Sequence, residues 1–126
     1  MLFRSIVELS EDGTNVENAE MLHKYDGTLY SKRSMNIFGG PVGDGVLNIF
    51  AANEGLCSDL HLAIHGGNIN ITSGNDGINA SEDNVSVAVI NGGSVNISVN
   101  GATGEGDGID SNGWLVINGE IGRAHV

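Results

Sequence analysis

The chain is short of several residue types, and each shortage narrows what it is. Proline occurs once and cysteine once among 126 residues. A single Cys57 forms no intrachain disulfide and says little about compartment. Aromatic residues make up 5%. Basic residues number only 5, and none lies between Ser34 and Gly122, a span with ten Asp and Glu from Asp44 to Glu120. Phosphate binding needs such cations, so nucleic acid is not an expected partner. No apolar run is long enough for a membrane span. Met1-Leu2-Phe3-Arg4 lacks the apolar stretch of a signal peptide. Self-repulsion at a formal net charge of -11 points to cations as counter-charges, with a solvated acidic surface as the alternative.

What the chain has in excess is glycine, 20 residues, set in two repeating registers. In one, Gly66-Gly67-Asn68-Ile69-Asn70-Ile71 recurs as Gly92-Gly93-Ser94-Val95-Asn96-Ile97, 26 residues on. Gly39-Gly40 and Asn118-Gly119 extend it in both directions. In the other, Asn75-Asp76-Gly77-Ile78-Asn79-Ala80 recurs as Gly106-Asp107-Gly108-Ile109-Asp110-Ser111. A weaker copy is Asn53-Glu54-Gly55-Leu56-Cys57-Ser58. Two motifs repeating in one order imply a supersecondary unit stacked on copies of itself.

Within each unit, apolar residues alternate with polar ones, as at Ile69 and Ile71 or Val95 and Ile97, which is the period of a strand. A second strand precedes each Gly pair, read at Leu60-Leu62-Ile64, Val85-Val87-Val89 and Leu115-Ile117. A third short segment carries Leu56, Ile78 and Ile109. Three short strands per repeat indicate an all-β chain wound as a parallel β-helix, a solenoid of about four coils. A helical reading fails, because each interior Gly would cost about 1 kcal/mol. Like residues should stack: Ile49 on Ile71 on Ile97, and Leu56 on Ile78 on Ile109. Gly and Asn at the turns supply left-handed backbone.

One domain is expected over residues 1–119. Phe3 to Leu9 reads as a strand, residues 10–25 as a loop with a possible short helix around Val16 to His23, and residues 46–119 as regular coils. Gly27 to Lys32 aligns with Glu54 to Asp59, and Met35 to Gly40 with the later strand-and-Gly pairs. Asn100 to Gly106 should bulge as an insertion. Residues 120–126 abandon the pattern and match a translated sequencing adapter. They are expected to be a non-native tail, with the coil truncated at both ends.

The Gly-Gly-(Asn/Ser)-(Ile/Val)-Asn-Ile, Asn-Asp-Gly-Ile-Asn-Ala-Ser-Glu-Asp and Gly-Asp-Gly-Ile-Asp-Ser-Asn-Gly blocks resemble a family of secreted bacterial carbohydrate-binding domain proteins. The resemblance runs from Phe3 to Gly119. It implies a right-handed parallel β-helix similar in shape to pectate lyases, calcium as cofactor, and polygalacturonate or cellulose as polysaccharide partner. It also implies an extracellular or cell-surface location. Glu54 and Cys57 depart from the pattern.

The candidate metal ligands are Glu54, Asp76, Asn79, Asp107 and Asp110. Equivalent positions on adjacent coils lie about 5 Å apart, so the carboxylates repel unless an ion sits between them. Calcium takes 6 to 8 oxygens at roughly 2.3–2.6 Å and suits such a line. Asp-Gly and Asn-Gly are also ordinary turn dipeptides that need no metal. Asp59 and Asp83 are read as weaker candidates at the end of the same turn. Asn48, Asn70 and Asn96 should satisfy one another along the stack rather than bind sugar. His61 and His65 are read as sharing one strand end, where such a pair is ordinarily solvated and only rarely a zinc site. Trp114 and Tyr30 could stack on a sugar ring, and Trp114 fits equally as packing at a strand start.

No catalytic residue is assigned. A polysaccharide lyase would need a base, and Lys32 and Arg33 lie at the edge of the acidic coils. A glycoside hydrolase would need two carboxylates about 5–9.5 Å apart across a groove, not in line on one turn. Binding is the preferred reading, with a calcium-dependent lyase and a structural adhesin solenoid as alternatives.

Overall fold

The computed structural model describes residues 6–11, 27–101, 104, 106–119 and 124–125. In chain order the strands are β1 (Ile6–Glu11), β2 (Gly27–Ser31), β3 (Met35–Ile37), β4 (Val46–Ala51), β5 (Glu54–Ser58), β6 (Leu62–Ile64), β7 (Asn68–Ser73), β8 (Ile78–Ala80), β9 (Val87–Ile90), β10 (Ser94–Val99), β11 (Ile109–Ser111), β12 (Trp114–Ile117) and β13 (Ala124–His125). They form three sheets, ordered β1-β4-β7-β10-β13, β2-β5-β8-β11 and β3-β6-β9-β12. Every strand pair is parallel. The protein is all-β, and no described helix is long and apolar enough to cross a membrane. From β4 onward the chain visits the first, second and third sheets in turn and then starts again. This cyclic order is consistent with a parallel β-helix. One passage through the three sheets is called a round below.

The registers follow the sequence repeats. Ile49 pairs with Ile71 and Ile71 with Ile97. Leu56 pairs with Ile78 and Ile78 with Ile109. Gly27 pairs with Glu54, and Met35 with Leu62, so the degenerate early round stacks as its alignment implies. The inward side chains form one apolar cluster that includes Ile49, Leu56, Ile64, Ile71, Ile78 and Ile97. Each buried Ile or Leu is worth about 1.5–3 kcal/mol, which a single round could not collect alone. The column thins at its ends. Leu115 and Ile117 on β12 stay 47% exposed although they continue the Leu62–Ala88 and Ile64–Ile90 rows.

Two glycine roles separate at the corners. Gly40, Gly67 and Gly93, the second members of the Gly pairs, take φ values of +80°, +95° and +86°, the left-handed backbone expected there. Gly77 of the Asp-Gly-Ile block is not left-handed; its constraint is space. A Cβ there would stand 2.4 Å from Ile97 Cγ2 and 2.7 Å from the Gly108 carbonyl oxygen.

Three local readings are corrected. On β9 the inward residues are Ala88 and Ile90, whereas Val85 is 45% exposed and Val87 and Val89 are only half-buried. The expected Val85-Val87-Val89 face is therefore one residue out, and such a slip exchanges the two faces of a strand. Strand β1 runs to Glu11, past the expected end at Leu9. Thirdly, His61 and His65 flank β6 at opposite ends and do not share one. The possible helix at 16–23 lies outside the described residues. So does most of the 10–25 loop. Of residues 120–126, Ala124 and His125 are described, beside Ile97 and Ser98 of β10. The insertion between Val99 and Gly106 is described in part, with left-handed Gly101 and Gly104 joined by a hydrogen bond of 3.0 Å from Gly104 N–H to the Gly101 carbonyl.

Candidate functional site

The acidic line forms where the first sheet turns into the second. Gly55 N–H donates to the Asp76 carbonyl at 3.0 Å, and Gly77 N–H to the Asp107 carbonyl at 2.9 Å. Glu54, Asp76 and Asp107 therefore occupy equivalent positions on three successive rounds. Close packing of Gly77 against Ile97 holds that corner. Two residues into the second sheet, Asn79 and Asp110 stand directly opposite each other. The structure thus brings all five sequence-predicted metal candidates to one edge of the second sheet.

Their hydrogen bonds run from round to round. Asn79 Nδ2 donates to Glu54 Oε1 at 2.9 Å, and the Asp107 backbone N–H donates to Asp76 Oδ1 at 2.9 Å. Glu54 and Asp76 are both buried, each 8% exposed. Burial pushes the Asp76 carboxyl above its ordinary pKa. The Asp107 N–H opposes that shift, while the carboxylates of Asp110, Glu54 and Asp107 reinforce it. The Asn79 Oδ1 atom is buried and has no hydrogen-bond partner. Its neighbour on the next round, Asp110, offers only acceptors when ionised. Among the described residues, no three His, Cys, Asp or Glu side chains converge on one point.

The weaker candidates lie elsewhere. Asp59 follows the far end of β5 from Glu54, where it accepts the Tyr30 hydroxyl. Asp83 accepts from Asn112 Nδ2 at 3.0 Å. Both are served by local donors and sit apart from the acidic line. The Asn row satisfies itself: Asn70 Nδ2 donates to Asn48 Oδ1 at 2.9 Å, and Asn96 Nδ2 to Asn70 Oδ1 at 3.1 Å.

His61 and His65 do not converge as a pair. His61 Nδ1 accepts from the Val87 backbone N–H at 3.1 Å. His65 sits between Asn36 and Asn91, at 2.9 and 3.2 Å, on the other side of β6. Trp114 is 58% exposed at the start of β12, so it does not pack into the core. One feature the sequence reading missed is the exposed Phe38 ring stacked on His65, with centroids 4.6 Å apart and planes 15° from parallel. Alignment of Phe38-Gly39-Gly40 with His65-Gly66-Gly67 was the available clue. An apolar cavity of about 630 Å³ near Leu9, Leu29, Ile37 and Leu47 continues the core column and includes none of the acidic-line residues.

No curated protein and no solved structure gives a significant match. The model of the carbohydrate-binding domain-containing protein family matches residues 4–121, and the chain belongs to that family.

Proposed function

We propose that this protein is an extracellular or cell-surface, right-handed parallel β-helix that binds an acidic, pectin-like polysaccharide through calcium, without catalysis. Family membership supports polysaccharide binding in general and a non-catalytic role. The finer reading rests on one observation: two buried carboxylates, Glu54 and Asp76, stand on successive rounds beside an amide oxygen with no donor. An all-oxygen set of Glu54, Asp76, Asn79, Asp107 and Asp110 suits calcium. The ion would give the Asn79 oxygen a partner and relieve the carboxylate repulsion. Side chains that do not yet share a focus make ion binding coupled to side-chain rotation. Calcium left partly open to solvent would also accept a uronate carboxylate, letting a protein of net charge -11 hold an anionic polymer. Cellulose is a second ligand of the same protein in this reading.

Native affinity electrophoresis through polygalacturonate tests this reading. Calcium should retard migration, chelator should abolish the retardation, and Asp76→Asn with Asp107→Asn should do the same with calcium present. Equal mobility in every lane would reject the reading. Catalysis has a separate readout, the ultraviolet absorbance of unsaturated uronate product. No product is expected, because Lys32 and Arg33 lie on the turn between β2 and β3, past the strand end opposite the acidic corner.

A further inference from the structure

Two histidines bracket β6, and each meets one end of β9 through the same ring nitrogen. His61 Nδ1 accepts the backbone N–H of Val87, the first residue of β9, at 3.1 Å. His65 Nδ1 lies 3.2 Å from the side-chain amide nitrogen of Asn91, the residue after β9. A ring nitrogen accepts only while it carries no proton, so the Val87 bond fixes His61 as a neutral imidazole protonated at Nε2. His65 reaches the same tautomer through a ladder on the outer face of the third sheet. Asn118 Nδ2 donates to Asn91 Oδ1 at 2.9 Å, which turns the Asn91 N–H toward Nδ1 and leaves the His65 Nε2–H for Asn36 Oδ1 at 2.9 Å. The two contacts look alike, yet they answer a proton differently. Amides rotate by half a turn and exchange donor for acceptor. With a proton on His65 Nδ1, Asn91 and Asn118 both turn, and the ladder runs in reverse with every bond kept. Val87 has no such freedom, because its donor is a backbone N–H held by the pairing of β9 with β6 and β12. A proton on His61 Nδ1 sets two donors against each other, and that bond is lost.

We propose that His61 is an acid-released clip: its protonation frees the start of β9 and the turn before it, while the His65 ladder reverses and keeps the far end closed. This is a conformational switch in the third sheet, independent of metal and of sugar. The turn it frees, residues 81–86, is the longest of the four that lead from the second sheet to the third. Glu82 N–H donates to Ser86 Oγ at 2.8 Å, and Ser86 N–H donates back to the Glu82 carbonyl at 3.0 Å. Asn84, at the tip, is left-handed with φ of +60°, and residues 82–85 are exposed. The His61 ring joins the end of this turn to the round before. The charged groups on the turns packed around His61 are Asp59 beside it, Lys32 and Arg33 on the round before, and Glu82 and Asp83 on the round after. Asp59 is bonded to Tyr30 and Asp83 to Asn112, and among the described residues none of the five is hydrogen-bonded to the ring. No carboxylate is therefore already in place to receive the new Nδ1–H. The described corners beside His65 carry Asp44 as their one charged residue.

The test is nuclear magnetic resonance of the isotope-labelled protein from about pH 8 to about pH 5, the range in which imidazoles ordinarily titrate, in chelator so that calcium takes no part. The Val87 amide signal should follow the titration of the His61 ring. Its hydrogen exchange, referred to the unfolded-chain rate at each pH, should speed up about tenfold, the scale of one net hydrogen bond. The Asn91 backbone N–H, bonded to the Ile64 carbonyl at 2.8 Å, should keep its protection while the Asn91 and Asn118 side-chain amide signals shift with the His65 ring. His61→Ala should leave Val87 exchanging fast at every pH, and His65→Ala should leave the Val87 response intact. The wild-type titration stands by itself if either variant fails to fold. Val87 protection that holds while the His61 ring titrates overturns the clip. So does a His61 ring that stays neutral throughout the range, an Asn91 end that opens together with Val87, or a loss of protection shared by every strand.

Discussion

On the first sheet, Asn48, Asn70 and Asn96 stand one above another, with Asn70 donating to Asn48 and Asn96 to Asn70. At the corner leading into the second sheet, Asp76 and Asp107 stand one above another in the same way, with Asn79 and Asp110 just beyond them. The geometry is shared and the outcome differs. An amide carries both donor and acceptor, so a row of amides closes on itself. A carboxylate only accepts, so a row of carboxylates must import its donors. Asp76 imports one, the Asp107 backbone N–H, and Glu54 imports the Asn79 amide. That leaves the Asn79 oxygen with none. The amide row is complete as a structure, while the acidic row leaves the Asn79 oxygen open, the place the proposed cation would fill.

The largest expected effect comes from the corner that sets the acidic row. Gly77→Val should destabilise the fold by about 3 kcal/mol or prevent it, because overpacking against Ile97 and the Gly108 carbonyl has no flexible outlet. Gly40→Ala is the matching control. Nothing lies within 4 Å of its Cβ, and only its φ of +80° is penalised, about 1–2 kcal/mol. Urea midpoints rank the two. A Gly77 variant as mild as the Gly40 variant would mean the corner is not held by close approach.

Calcium comes next. If the acidic row binds the ion only when folded, calcium at a hundredfold excess over its dissociation constant should add about 2.7 kcal/mol of stability. The thermal midpoint of the wild type should rise, and that of Asp76→Asn with Asp107→Asn should not. A change confined to the amide row should leave the calcium response intact. A wild-type midpoint indifferent to calcium would make the two rows alike after all.

Asn70→Asp carries the comparison in the other direction, turning one amide rung into an acidic one. It keeps the bond from Asn96 and loses the one to Asn48. The expected cost is about 1–2 kcal/mol in urea at neutral pH, the scale of a lost, partly buried hydrogen bond. Asn70→Ala should cost less, because it leaves no carboxylate facing the Asn48 oxygen.

Stacking explains how much of this was legible in the sequence. When like positions lie on one another, the repeat is the structure, so the Asp-Gly-Ile and Gly-Gly blocks already carry the registers of Ile49, Ile78 and Glu54. The β9 face failed because valines occupy its outer side and a small Ala88 its inner side. Hydrophobicity then points the wrong way. The 26-residue offset between Gly66 and Gly92 held the answer, since it carries Leu62 to Ala88 and Ile64 to Ile90. The role of Gly77 was not legible, because left-handed backbone and close approach both call for Gly. The Phe38–His65 stack joins equivalent positions on successive rounds, but the two residues differ in type, so the repeat brings them together without announcing a ring contact. Family character was readable from the blocks, whereas the chemistry of the third-sheet face needed the register first.

The smallest effect is the pH dependence of the acidic row without metal. Burial raises the Asp76 pKa in the folded protein above its ordinary value of 3.8, to which it returns on unfolding. Between those two values the native state holds more proton than the unfolded chain, so stability rises as pH falls through the window. Above the folded value both states are ionised and the full cost of the buried charge is present. Below 3.8 both are protonated and the gain is complete. Lowering the pH also relaxes the general repulsion among the other acidic groups, so the informative quantity is the difference between wild type and Asp76→Asn. In chelator, wild type should gain on the variant as the pH drops from 7 toward 4. With calcium the sign should reverse, because protons then compete with the ion for the same oxygens. Parallel curves in chelator would mean the Asp76 carboxylate is no less comfortable than an amide there, and the contrast between the rows would lose its electrostatic basis.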